Sequence, residues 1–150
     1  MKNKALIEAV RMGLLDATGH SLPAEHFYKF CRYKKAVRAA YDSFAESEKN
    51  LLAEAGITQE DMSERPDGKV TIAPKLPDGS PDIAKLQRYK VAMDALLNED
   101  VNLGEIKTIP IDNYKGLYDE NRKEVSGRTI DIFSNMIVED FIIETLFKEE

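Results

Sequence analysis

Apolar residues recur at helical spacing in three stretches of this chain. From Ala5 to Asp16, Leu6, Ala9, Val10 and Leu14 follow a rough helical period, which predicts a short first helix. Thr18-Gly19-His20-Ser21 breaks the pattern, with Gly19 as the end signal. The second stretch is the clearest. Ser21-Leu22-Pro23 opens it and Glu25 sits in its first turn. Phe30, Val37, Phe44 and Leu51 recur every seven residues, Phe27, Tyr41 and Ala55 fill intermediate positions, and Gly56 closes it. The pattern predicts about 32 helical residues, a rod of roughly 48 Å. A helix of that length is held mainly by packing along its apolar stripe.

A connector follows. Thr58-Gln59-Glu60-Asp61 suits a single capped turn. Pro66-Asp67-Gly68 and Pro77-Asp78-Gly79 are turn signals, and Lys69-Val70-Thr71-Ile72 between them alternates like a short strand that Pro74 ends. Ser80-Pro81-Asp82 then starts a helix over 81–98, with Ile83, Leu86, Tyr89, Met93, Leu96 and Leu97 as its apolar face. Val101 to Ile111 is rich in β-branched residues and reads as extended, and Asp112-Asn113-Tyr114 suits a further turn. Tyr118 to Gly127 reads as a polar loop. Thr129 to Phe147 reads as a last helix with a wide apolar face, which suggests burial against several neighbours or another chain.

Charge adds direction to this layout. From Phe27 to Tyr41 the chain carries Lys29, Arg32, Lys34, Lys35 and Arg38 and no acid. Asp42, Glu46, Glu48 and Glu54 follow, against Lys49 alone. The helix dipole favours the opposite order. Folding the 81–98 helix back antiparallel passes Lys85, Arg88 and Lys90 along the acidic half and brings Glu99 and Asp100 to Arg38 and Lys35. Exposed pairs are worth only ~0–1 kcal/mol each, so their expected role is orientation.

Composition then excludes several classes. At 150 residues one domain is the default, here a single helical domain over 1–150. No apolar run approaches the ~18 residues of a bilayer span. Glu8 and Arg11 interrupt the apolar stretch after Met1-Lys2-Asn3-Lys4, which argues against a signal peptide. A single cysteine, Cys31, cannot form an internal disulfide, which fits a cytoplasmic setting. The formal net charge of −6 disfavours a general nucleic-acid binder.

Candidate chemistry is sparse. Tyr28-Lys29-Phe30-Cys31-Arg32-Tyr33-Lys34-Lys35 interleaves bases with aromatics, as on a nucleic-acid surface where rings stack on bases. The favoured alternative is a helix with Phe30 in the core and the bases in solvent or against Glu99 and Asp100. His20 and His26 lack converging ligands, so no metal or cofactor site is expected. Cys31 lies among bases but has no base partner at helical spacing, and reads as a small apolar residue beside the Phe30 stripe. Asp78-Gly79-Ser80-Pro81-Asp82 lacks the acid spacing and closing Glu of a calcium loop.

The order of elements resembles a family of small phage and prophage proteins of uncharacterised function. The resemblance rests on Leu22-Pro23 before a helix with Tyr28, Lys29 and Lys34-Lys35, on Glu54-Ala55-Gly56 and on Pro66-Asp67-Gly68-Lys69-Val70. It continues through a second helix closing with Met93-Asp94-Ala95-Leu96-Leu97-Asn98 and an extended isoleucine-rich stretch to Ile111. It spans roughly 5–111, and the last 39 residues depart from it by being longer and more apolar. It implies a mobile-element context, in host cytoplasm or virion, with a role in assembly and no catalytic residue to carry over.

The expected fold is therefore mostly α with a minor β element. A long antiparallel helical hairpin is flanked by N- and C-terminal helices, and strands come from 69–72 and part of 101–111. The expected function is a non-catalytic interaction or assembly module that binds a protein partner or itself. Its candidate surfaces are the bases Lys29, Arg32, Lys34, Lys35 and Arg38 and the apolar Phe141, Ile142 and Phe147. The alternative is a nucleic-acid-binding accessory protein using that basic segment. An enzyme using Cys31 or His26 ranks third.

Overall fold

The computed structural model describes residues 1–118 and 120–149, with the backbone alone at 123 and 125. Asp119 of the expected polar loop and Glu150 lie outside the described residues. In chain order the elements are α1 (Asn3–Arg11), α2 (Ala24–Glu54), β1 (Met62–Glu64), β2 (Val70–Ile72), α3 (Ile83–Leu97), β3 (Ile109–Pro110), β4 (Arg122–Val125), β5 (Arg128–Asp131), α4 (Met136–Thr145) and β6 (Phe147–Lys148). Short 3₁₀ turns stand between them, the longest over Ile111–Leu117. The fold is mostly helical with small sheets. The chain divides into two compact units. The first joins Met1–Asp42 to the chain from Asp100 onward, and the second is Ser43–Glu99.

Unit 1 is built on three helical faces. α1 stops at Met12 because Gly13 takes φ 103°, a left-handed conformation that costs an L side chain ~1–2 kcal/mol. The expected helix to Asp16 thus breaks early, and Leu14–Asp16 form a separate 3₁₀ turn. Gly19 has a different use from the helix end expected of it. A Cβ built there would lie 2.8 Å from Phe30 Cδ1, so the loop needs glycine to press onto the ring. Along α2, Phe30, Tyr33 and Val37 are fully or almost fully buried. They meet Leu6, Ala9 and Leu14, the aromatic pair Tyr114–Phe133, Phe141 and Ile142 of α4, and Leu146 just past it in one core.

The C-terminal third differs most from expectation. Arg122–Val125 and Arg128–Asp131 form an antiparallel hairpin where a loop and the start of a helix were expected. Its turn, Ser126-Gly127, has φ 52° and 78°, the positive pair that matches the twist of a tight hairpin. The helix begins only at Met136. Asn135 Oδ1 accepts from the N–H groups of Ile137 (2.9 Å) and Val138 (3.4 Å), which satisfies the first turn. The sequence left the strand pairing open, and the structure supplies it. Residues 70–72 pair antiparallel with Met62–Glu64, and Ile109–Pro110 pair parallel with Phe147–Lys148.

Unit 2 holds the second half of α2, the β1–β2 ribbon and α3. The C-terminus of α2 closes as expected. Gly56 has φ 74°, its N–H reaches Ala53 O, and the Ile57 N–H reaches back to Leu52 O. α3 is capped by Asp82, whose carboxylate accepts from the Lys85 N–H at 3.0 Å. Ser80, expected to open that helix, bonds to Asp78 instead. α2 contacts α3. Lys85 Nζ donates to Gly56 O at 3.2 Å, and one turn later burial and then Glu48 push the Tyr89 hydroxyl pKa up.

The expected approach of Asp100 to Arg38 and Lys35 is replaced by another pair. Lys2 Nζ lies 2.9 Å from Asp100 Oδ1, and the Val101 N–H donates to Met1 O at 2.8 Å. The N-terminal segment occupies the place that charge blocks had assigned to α2, because a backbone bridge forms there beside the ion pair.

Candidate functional site

The first half of α2 has two opposed faces. Phe30, Tyr33 and Val37 turn inward, so the positions roughly opposite them turn outward at 100° per residue. Arg32, Lys35 and Arg38 are exposed on that outer side, spread over about 120° of the helix. Tyr28, 69% exposed, stands one turn before Arg32. The five bases of the segment are thus not equivalent. Lys29 Nζ donates to Thr108 O at 3.2 Å. Lys34 Nζ donates to Ala17 O at 2.8 Å and lies 5.4 Å from the centre of the Phe30 ring. These two bases help hold the loops against α2, and the other three face solvent.

The aromatics sort in the same way. The Tyr33 hydroxyl meets Thr145 Oγ1 at 2.5 Å. Thr145 donates onward to Phe141 O, so the phenol is the donor of the pair. Burial pushes the Tyr33 pKa far above its ordinary value. Of Tyr28, Phe30 and Tyr33, Tyr28 alone is open to a stacking partner.

Beside Arg32 lies a hollow of about 170 Å³. Lys29, Arg32 and Ala36 of α2 line one side, and Glu105, Ile106 and Lys107 line the other, with Tyr33 also touching it. Three cations from two segments therefore meet one carboxylate. A shallower depression of about 580 Å³ shares Lys29 and includes His26 and Lys148. His26 is buried. Its Nε2 stands 3.6 Å from Glu25 Oε1, and its Nδ1 has no hydrogen-bond partner among the described residues. His20 stacks on Phe27 at 5.7 Å. Cys31 is half-buried, about 140° around the helix from His26. Among the described residues, no group of three or more His, Cys, Asp and Glu side chains converges as a metal site. The calcium-like Asp78-Gly79-Ser80 is a turn in which Asp78 Oδ1 accepts from the Ser80 N–H and hydroxyl.

The C-terminal candidates need correction as surface residues. Phe141 and Ile142 are fully buried and Phe147 nearly so, all within the unit 1 core. The wide apolar face of this segment meets its own chain. The exposed large apolar residues of this segment are Ile130 in β5 and Met136 and Ile137 at the start of α4.

One polar cluster escaped sequence reasoning. Asn121, buried, accepts from the Thr18 N–H at 2.7 Å and donates to Thr18 O and Leu117 O. Glu120 accepts from Thr18 Oγ1 at 2.8 Å and from the Ser21 hydroxyl at 2.6 Å. Burial alone would raise the Glu120 pKa, but the Ser21 and Thr18 hydrogen bonds outweigh it and hold it below the usual carboxylate value. The seam joins residues about 100 positions apart, so no local spacing could have revealed it.

Comparison with protein-family models, with curated proteins and with solved structures finds no match to this chain. No helix among the described residues is long and apolar enough to cross a membrane.

Proposed function

We propose that the protein is a non-catalytic interaction or assembly module of the phage or prophage type its layout resembles, and that unit 2 is where it associates. One observation carries this reading. Across Ser43–Glu99 the buried apolar side chains of the core are Phe44, Ile57 and Leu96, while Val70, Leu76, Ile83 and Val91 stay exposed. A core that small stabilises little by itself. Exposed apolar side chains on such a unit are the usual mark of a surface completed by a partner. The reading takes α2 and α3 as an antiparallel hairpin. As α3 advances from Lys85 to Tyr89, its neighbours retreat along the chain from Gly56, just past α2, to Glu48 on it, which supports that direction. A second copy of the chain is the simplest partner to test. Light scattering over a concentration series should give a mass rising from 16.9 kDa toward twice that value. Ile83→Glu with Val91→Glu should return the monomer. A strict monomer at every concentration, unchanged by these substitutions, counts against self-association.

A second reading is favoured by a specific feature of α2. Tyr28, Arg32, Lys35 and Arg38 all face outward on a stretch with no acid between residues 26 and 41, which suits a polyanion. In that reading the protein is a nucleic-acid-binding accessory factor. A salt-sensitive shift of labelled oligonucleotide in a gel is its test.

A further inference from the structure

We propose that the hollow between α2 and residues 105–107 is a phosphate seat for single-stranded nucleic acid, with a neighbouring base stacked on Tyr28. The inference rests on the second reading above and gives it a place.

Three observations combine. First, the hollow gathers Lys29, Arg32 and Lys107 from two separate chain segments against Glu105 alone. Its local charge is strongly positive in a chain of net charge −6. Second, Lys29 is already held in place. Its ammonium spends one hydrogen on Thr108 O and keeps two others for a ligand. Arg32 adds a planar fork that matches two phosphate oxygens at once. Third, Tyr28 precedes Lys29 and sits one turn before Arg32, and the residue is 69% exposed. Residues four apart on a helix are surface neighbours, ~6 Å apart at Cβ. A base on the Tyr28 ring thus places its own backbone phosphate within reach of Lys29 and Arg32. Lys35 and Arg38 extend the positive surface along α2 for the following phosphates. A single strand fits better than a duplex, because a paired base has no open face to offer Tyr28.

The test uses fluorescence anisotropy of the full chain with a labelled oligothymidylate of about 12 nucleotides, a length within the usual single-strand site sizes. Binding should weaken with salt. Arg32→Ala with Lys107→Ala should lower affinity about tenfold and reduce the slope of log K against log salt by about 0.7, the loss of one phosphate contact. Tyr28→Ala should cost about fivefold or more while leaving the salt slope unchanged, since it carries no charge. Lys69→Ala with Lys90→Ala removes the same net charge from unit 2 and should leave affinity unchanged. Circular dichroism melts confirm that each variant folds. Binding that ignores Arg32, Lys107 and Tyr28, or falls equally with the Lys69/Lys90 variant, overturns the seat and leaves the second reading standing elsewhere on the chain. A blunt duplex bound as tightly as the single strand overturns the stacking. No oligonucleotide binding at low salt overturns the seat and the second reading together, and leaves self-association, read by light scattering, untouched.

Discussion

Glu120 carries a consequence that its exposure conceals. Its carboxylate takes hydrogen bonds from Ser21 and Thr18, which outweigh burial and hold its pKa below the ordinary value. A depressed folded pKa stabilises the fold above the unfolded carboxylate value, and that contribution is lost as pH falls through the folded one. Acid melts should therefore show stability falling below about pH 4.5 in the wild type. Glu120→Gln should be less stable at neutral pH and flatter over that acid range. Tyr33 and Tyr114 act at the opposite end. Burial, the main cause for both, pushes their hydroxyls far above the ordinary value. Their contribution is fully present below the unfolded value near pH 10 and is lost as pH rises beyond it. An alkaline melt of Tyr33→Phe should lose less stability above pH 10 than the wild type. At neutral pH the same variant should cost about 1 kcal/mol through the lost bond to Thr145. Gly19→Ala tests packing of another kind. Its methyl would meet Phe30 Cδ1 at 2.8 Å, so a cost of about 1–3 kcal/mol is expected in a denaturant melt.

At the scale of elements, caps decide where helices stop and start. Gly56 at φ 74° closes α2 with both reverse hydrogen bonds in place. A Cβ there finds room, with Lys85 Cε at 3.6 Å, so the cost of Gly56→Ala is conformational, about 1–2 kcal/mol. Asn135 starts α4, and Asn135→Ala should cost about 1 kcal/mol. Those two ends illustrate what could be read locally. Gly56 ends a long heptad pattern and was legible. Asn135 stands inside an apolar run that reads equally as helix on both sides, so the start of α4 was placed seven residues early. The hairpin before it was missed for the same reason. Ser126-Gly127 is a weak turn signal, and the strands flanking it are mostly exposed, without the apolar alternation that marks a half-buried strand. Charge blocks also misled. Asp100 answers Lys2, whose segment is drawn in by the Val101 N–H to Met1 O bond. Exchanging the two charges together at Lys2 and Asp100 should be tolerated better than reversing either alone, and the same exchange at Arg38 and Asp100 should bring no such rescue.

At the scale of the whole molecule, α2 is one continuous helix that serves two compact units. Its first half lies in a core of aromatic and branched side chains, and its second half in a unit with few buried residues. Hydrogen exchange should therefore protect amides around Phe30–Val37 far more than those of α3, since local stability follows buried contact. By itself the sequence determined the long helix, its glycine stop and the helix after Pro81. These follow from periodicity and capping, which act over a few residues. The tertiary structure alone decided the burial of Phe141, Ile142 and Phe147, the parallel pairing of Ile109 with Phe147, the Glu120–Asn121 seam and the meeting of Lys107 with Lys29 and Arg32. Each of these joins positions far apart in the chain. Whether an apolar face is a surface or a core depends on which distant segment covers it, and spacing along one segment carries no record of that.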